Sequence, residues 1–267
     1  MLPAAAAAAV PVTGMATTPI CLVGASGRMG QRLVRLLAAC PDLHLASVLV
    51  HRRPPAGLPA GVLATADRAA AVAAAALVVD FAAPAVAREL APECARQGRP
   101  YLLASTALSD ADTAAVAAAA GQVAVLAAAN LSLGVAVMAD LVQRVAAQLP
   151  GFDVELVELH HRAKRDAPSG TAHMLAAALR GGRAELQPQF GRQGTAARTS
   201  QALGMAAVRG GDVAGEHTVY FLGDGERLEI RHVSSSGDLF AVGALQAARW
   251  LLQQPPGLYA MQDRLRG

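Results

Sequence analysis

Apolar and polar positions in the first half of the chain fall into short solid runs separated by longer helical stripes. Ile20-Cys21-Leu22-Val23 is an unbroken apolar run that stops at Gly24, which reads as a strand buried on both faces. From Arg28 to Cys40 the apolar residues recur at helical spacing, with Leu33, Leu36 and Leu37 on one side. Leu43 to Val50, Leu77 to Phe81, Tyr101 to Ala104 and Val123 to Leu126 repeat the strand pattern, with alanine-rich helical segments between them. Such alternation predicts an α/β architecture, a Rossmann-like doubly wound parallel sheet.

The period changes after Asn130. Ser132 to Gln148 is helical, and from Phe152 every second residue is apolar: Phe152, Val154 and Leu156 against Asp153 and Glu155. The phase slips near Val157, which points to a bulge. Alternation returns from Arg227 to His232, with Glu216 to Phe221 as a partner strand. The expectation is an α+β region with an open, mostly antiparallel sheet. Gly181 to Thr199 is polar and without period, and reads as a mobile loop. Phe240 to Gln253 is helical, carries Trp250, and is expected to return to the first region. The expected division is a floppy tail over 1–19, one domain over 20–130 and 241–267, and a second over 131–240.

Composition narrows the function classes. The chain has 267 residues, 54% of them hydrophobic and 16% charged, which is enough for two modest cores and excludes disorder over its length. Aromatics are 3%, so the core is expected to be small and branched aliphatics. The net charge of +3 is scattered, with no basic block or aromatic-interleaved stripe for a nucleic acid. A mild positive balance suits an acidic substrate and a phosphorylated cofactor. Cys21, Cys40 and Cys94 are odd in number and far apart, so a disulfide framework is not expected and a reducing cytoplasm is. All three are expected as small buried hydrophobes. No apolar run suits a bilayer span, and the alanine-rich start lacks the basic leader of a secretory signal. Met15, just before the first strand, is a second candidate start.

Two segments carry chemistry. Gly24, Gly27 and Gly30 form a G-x-x-G-x-x-G pattern after a strand and at the opening of a helix. Gly24 allows the tight turn, Gly27 lets a pyrophosphate approach the backbone, and Gly30 lets helix and strand pack closely. The second strand ends in Val50-His51-Arg52-Arg53 and has no carboxylate for ribose hydroxyls. Three cationic or potentially cationic groups there favour NADPH, with NADH as the alternative.

The second segment is Glu158-Leu159-His160-His161-Arg162-Ala163-Lys164-Arg165-Asp166-Ala167-Pro168-Ser169-Gly170-Thr171. Adjacent histidines in a strand point to opposite faces, so one of the two faces a cleft. Lys164 follows at the strand end, and Ser169-Gly170-Thr171 opens a helix whose N–H groups and hydroxyls suit a carboxylate. Imidazolium or ammonium can donate a proton as hydride arrives. Glu155, Glu158 and the histidines also offer metal-ligand types, but their placement along one strand does not converge on one ion. His217 and His232 lie in alternating strands and are expected to be structural.

Together these segments resemble the 4-hydroxy-tetrahydrodipicolinate reductase family of lysine and diaminopimelate biosynthesis, formerly called dihydrodipicolinate reductase. Ala128-Ala129-Asn130-Leu131-Ser132-Leu133-Gly134-Val135 and Val208 to Thr218 share in the likeness, which runs from Ile20 over nearly the whole chain. The resemblance implies a dinucleotide-binding domain completed by the C-terminal helix, and a substrate domain that assembles a homotetramer. It implies His160 and Lys164 as proton donors, and His161, Ser169, Gly170 and Thr171 as holders of a small dicarboxylate. It places the pyrophosphate on Gly24, Ala25, Ser26, Gly27, Arg28 and Met29, to which the reading of the second strand's end adds His51 and Arg52 as cofactor-binding residues. Ala104, Ser105 and Thr106, with Ala128, Ala129, Asn130 and Leu131, would line the nicotinamide side. The implied reaction is loss of a ring hydroxyl as water and hydride reduction to tetrahydrodipicolinate.

The chain departs from the family pattern at Ala104-Ser105-Thr106-Ala107, where Gly-Thr-Thr-Gly is usual, at Leu131, where an aromatic is common, and at Gly237, where an arginine is common. Added methyl groups beside the nicotinamide are expected to weaken cofactor binding. Other readings of the same residues are a related amino-acid dehydrogenase of the aspartate type, and a cofactor-binding regulatory protein without turnover.

Overall fold

The computed structural model describes residues 17–51, 53–105 and 108–266. Most of the expected tail, with Met15, and also Arg52, Thr106 and Ala107 lie outside the described residues.

The first half builds one parallel sheet. Its elements are β1 (Thr18–Val23), α1 (Arg28–Ala38), β2 (Leu43–Leu49), β3 (Leu63–Thr65), α2 (Arg68–Ala73), β4 (Leu77–Asp80), α3 (Ala87–Arg96), β5 (Tyr101–Leu103), α4 (Asp110–Ala120) and β6 (Ala124–Ala127). Thr18 and Pro19, expected in the tail, belong to β1, because the Thr18 N–H donates to Asp42 O at 2.8 Å and both residues pair with β2. Two very short strands were not legible in the apolar pattern: β3, and a late strand over Gly257–Tyr259 that joins the opposite edge. The strand solid on both faces is plainest in β4, whose four residues are all buried.

The second half comprises α5 (Leu133–Gln148), β7 (Asp153–His160), α6 (Gly170–Gly182), β8 (Gln187–Phe190), β9 (Ala202–Arg209), β10 (Glu216–Gly223), β11 (Glu226–Val233) and α7 (Asp238–Leu251), with the late strand as β12. The sheet orders are β12-β6-β5-β4-β1-β2-β3 and β11-β10-β7-β9-β8. In the first, α1 and α7 bury one face around Leu33, Leu37, Ala244 and Leu251, and α2, α3 and α4 bury the other around Val72, Leu90 and Val116. Arg32 of α1 pairs with Asp238 of α7, fastening the last long helix to the first. In the second sheet α5 and α6 cover one face around Val142, Leu156, Leu175 and Phe221.

Four expectations are corrected here. The second sheet is open but evenly mixed: β10 runs antiparallel to β7 and β11, while β9 runs parallel to β7 and β8. Alternation reports a half-buried strand and not its direction; the crossover through α6 brings the chain back in the same sense. No bulge occurs at Val157. β7 keeps register with both neighbours, and Glu158 simply continues the inward set of Val154 and Leu156. The segment Gly181 to Thr199 contains β8, and two of its three arginines are anchored: Arg183 is buried and donates to Phe152 O and Ser200 O. Arg198 bonds Glu155 and the carbonyls of Val154 and Ala202. Of the cysteines, Cys21 and Cys94 are buried as expected, and burial pushes the Cys21 thiol up to about 11. Cys40 is only half-buried, with Arg249 at 2.9 Å from its sulfur.

Candidate active site

The first sheet reverses its winding between β1 and β4, since β2 and β3 lie on one side and β5 and β6 on the other. At the carboxyl ends of strands flanking such a reversal, a crevice opens. A cavity of about 790 Å³ lies there, lined by Gly24, Ser26, Gly27, Phe81 and Ala82 among others. The glycines are dictated by space. Gly24 has φ +81°, and a Cβ on it would stand 2.8 Å from Phe81 C and O. A Cβ on Gly30 would stand 2.2 Å from Gly24 O, so any side chain there would prise α1 from the turn. Gly27 is the N-cap of α1 and makes no side-chain cap bond, which leaves the first N–H groups of the helix, including those of Arg28 and Met29, available to an anion. Ala25 is buried beneath the loop and packs into the core. The residues present therefore fit a dinucleotide. His51, Arg53 and Arg68 reach the far part of the cavity, with Glu89 paired to Arg68.

The neighbouring strand ends continue the crevice. Asp80 is fully buried at the end of β4; burial raises its carboxyl above the usual range, against the Tyr101 hydroxyl at 2.6 Å and the Ala82 N–H at 2.7 Å. It thereby shapes the Phe81-Ala82 turn. Ala104 N–H donates to Asp80 O, the Ser105 hydroxyl to Ala82 O at 2.7 Å, and Ala128 N–H to Leu103 O. Ala129 is exposed and Asn130 half-buried. The Leu131 side chain is 2% exposed and sits in the first core, so only its backbone could meet a cofactor.

The histidine segment lies at one end of the second sheet. Glu158 has no exposed surface. Its Oε1 accepts from Arg209 at 2.6 Å and from Ser169 N–H at 3.1 Å. Its Oε2 accepts from Arg209 at 2.8 Å and stands 2.5 Å from His160 Nδ1. Burial works to raise the Glu158 carboxyl, but Arg209 and His160 together hold it below the usual range. Burial, helped by the charges of Lys164 and Arg209, lowers His160 despite the upward pull of Glu158. His217 on β10 meets the His160 ring edge-on at 5.2 Å, and burial pushes it down to about 4. His161 lies just past β7 and is half-buried; its carbonyl receives Lys164 N–H. Lys164 Nζ pairs with Asp166 at 2.8 Å.

Ser169 is the N-cap of α6 and is 2% exposed. Its hydroxyl accepts from Ala172 N–H and lies 3.0 Å from His217 Nε2, while its N–H is taken by Glu158. The donors left for an anion are therefore those of Gly170 and Thr171, which are respectively exposed and half-buried. Glu158, Arg209 and His217 were not singled out as site residues from sequence. The Asn130 carboxamide donates to the Thr171 hydroxyl at 2.8 Å, so the segment after β6 touches the start of α6. The carboxyl edge of the first sheet and the histidine end of the second meet at that bond.

Comparison with known proteins agrees with this geometry. The family model "Dihydrodipicolinate reductase, N-terminus" matches residues 18–131, and "Dihydrodipicolinate reductase, C-terminus" matches residues 134–265. The chain belongs to the dihydrodipicolinate reductase family. The 4-hydroxy-tetrahydrodipicolinate reductase of Halorhodospira halophila is 41% identical over 259 residues, covering 91% of this chain and 97% of that one. The protein of the same name from Anaeromyxobacter dehalogenans is 42% identical, covering 93% and 97%. In fold, the chain matches the dipicolinate-bound dihydrodipicolinate reductase of Paenisporosarcina sp. TG-14 with TM-score 0.78 at 22% identity, over 92% of this chain and 98% of the other.

Proposed function

We propose that this chain carries out the NAD(P)H-dependent reduction of 4-hydroxy-tetrahydrodipicolinate to tetrahydrodipicolinate in lysine and diaminopimelate biosynthesis. The observation that carries the reading is the Asn130–Thr171 bond, which sets the anion-binding start of α6 beside the edge where the glycine loop opens. A reduced nicotinamide supplies hydride when bound. Loss of the ring hydroxyl as water takes up one proton and releases one from the adjacent ring carbon, and uptake of hydride is matched by one further proton, so one proton is consumed overall; His160 and Lys164 are the donors. One substrate carboxylate rests on the N–H groups of Gly170 and Thr171, with His161 beside it. Lys164 exchanges Asp166 for the substrate, because a dicarboxylate offers it a second anionic partner.

For the cofactor, Gly24 to Met29 hold the pyrophosphate, and His51, Arg52 and Arg53 favour the extra phosphate of NADPH over NADH. Ala104 to Thr106 and the backbone of Ala128 to Leu131 flank the nicotinamide. We assign 20–130 with 241–267 to the cofactor domain and 131–240 to the substrate domain. The open face of the second sheet, with Val208, Leu222 and Val233 exposed, is the surface for assembly into a homotetramer. No described helix is long and apolar enough to cross a membrane, and a biosynthetic reductase with unpaired cysteines suits the cytoplasm.

The test is a coupled assay in which substrate is made fresh from pyruvate and aspartate semialdehyde while nicotinamide absorbance is followed. Oxidation is expected, and is expected to be lost in a His160→Gln, Lys164→Ala double variant. Cofactor binding without oxidation would replace the reductase reading with a binding protein. Comparing NADPH with NADH in the native chain and in Arg52→Glu tests the phosphate assignment; unchanged preference would remove it.

A further inference from the structure

The pair of buried Glu158 and half-buried Arg209 touches the strand end and the strand-to-helix loop at three points. Glu158 faces His160 Nδ1 at the start of the loop and receives Ser169 N–H at its end. Arg209 donates to Asp166 O at 2.6 Å in the middle, and Asp166 is the ion partner of Lys164. Burying two charges costs more than burying apolar groups of the same size, so such a pair is weak support for stability as its purpose. What it does hold is the end of β7, with His160, and the loop after it, with Lys164. A carboxylate can only accept from neutral imidazole, so Glu158 selects the Nδ1–H tautomer and leaves Nε2 as the free nitrogen.

We propose that Glu158 and Arg209 are positioning residues for the reduction: Glu158 fixes the tautomer and orientation of His160, and Arg209 grips both Glu158 oxygens while tying down the Lys164 loop. This rests on the proposed role of His160 as proton donor. The titratable and charged groups facing His160 are Glu158 on its own strand, Lys164 on the loop, Arg209 on β9 and His217 on β10. Their signs give the proposal its signature. Glu158 stabilises the imidazolium and Arg209 opposes it, so their removal moves His160 in opposite directions. A merely structural role for the pair would leave the neutral tautomer of His160 unchanged when Glu158 is replaced.

The experiment is nitrogen NMR of histidine-labelled protein, with the His160 resonances assigned through His160→Asn, run alongside the coupled assay. Native His160 is expected as the Nδ1–H tautomer when neutral. In Glu158→Gln its proton affinity should fall by about tenfold and the tautomer preference should fade. In Arg209→Gln the affinity should rise. Shifts in one common direction, or none, would overturn the proposal. If Glu158→Gln does not fold, Arg209→Gln carries the test: a rise supports it and no movement overturns it. Turnover should fall in both variants. Turnover kept by both would overturn the positioning role alone, whereas no turnover in the native chain would overturn the reductase reading itself.

Discussion

Asn130 reaches across to Thr171 with Nδ2 while its Oδ1 receives Ser132 N–H at 2.8 Å. One carboxamide thus fixes both the turn into α5 and the first residues of α6. Replacing Asn130 with Ala or Thr171 with Val should each raise the substrate KM. In a double-mutant cycle the two should couple by about 1 kcal/mol. Additive effects would mean that the bond does not order the anion site.

Gly30 admits no side chain without displacing the turn at Gly24. Gly30→Ala should cost about 1–3 kcal/mol by overpacking and weaken NADPH binding along with it. Thermal melting and a fluorescence titration of NADPH measure the two effects. An unchanged Tm with full NADPH affinity would contradict the assigned packing role.

Gly215 lies against the Nε2 side of the His160 ring. It has φ +155°, and a Cβ there would stand 3.0 Å from His160 Nε2. Gly215→Ala is expected to lower kcat/KM by about tenfold to a hundredfold through misplacement of the ring, with NADPH affinity unaltered. Steady-state kinetics and a binding titration on the same preparation check both halves.

His217 sets an acid limit on stability. Its folded value of about 4 lies below the ordinary 6.5, so between these values the unfolded chain binds a proton that the folded chain refuses. Its contribution is therefore neutral above pH about 6.5, and stability falls as pH drops towards 4, by about 3 kcal/mol in all. Urea denaturation across that window should show the slope, and His217→Gln should flatten it. An equal slope in the variant would assign the acid sensitivity to other groups.

The nucleotide half was legible because its rules are local. A solid apolar run, a glycine that must turn and a helix that follows are neighbours in sequence, and Gly24 and Gly30 stand where that pattern requires. β3 and β12 escaped because three residues cannot establish a period. The catalytic half was legible only in outline. Glu158 reads as a break in alternation because a carboxylate facing the core looks like an outward residue. What makes its burial tolerable is Arg209, 51 residues further on. His217 escaped for a related reason: its partners His160 and Ser169 come from other elements, and no spacing within β10 announces them. Ser169 was correctly seen as a helix start, but the same cap that suits an anion is here consumed by Ala172 and His217.

The return of α7 to the first sheet has a consequence for how the chain is made. Ala241, Ala244, Ala247, Ala248 and Leu251 fill one side of that sheet's interior, and Gly257–Tyr259 pairs along its edge. On the ribosome, every residue up to Gly237 emerges before these pieces exist. The nucleotide half must wait, with an oily flank uncovered, until α7 and β12 have been made, so a message cut short before α7 yields a product fit for a chaperone or a protease rather than half an enzyme.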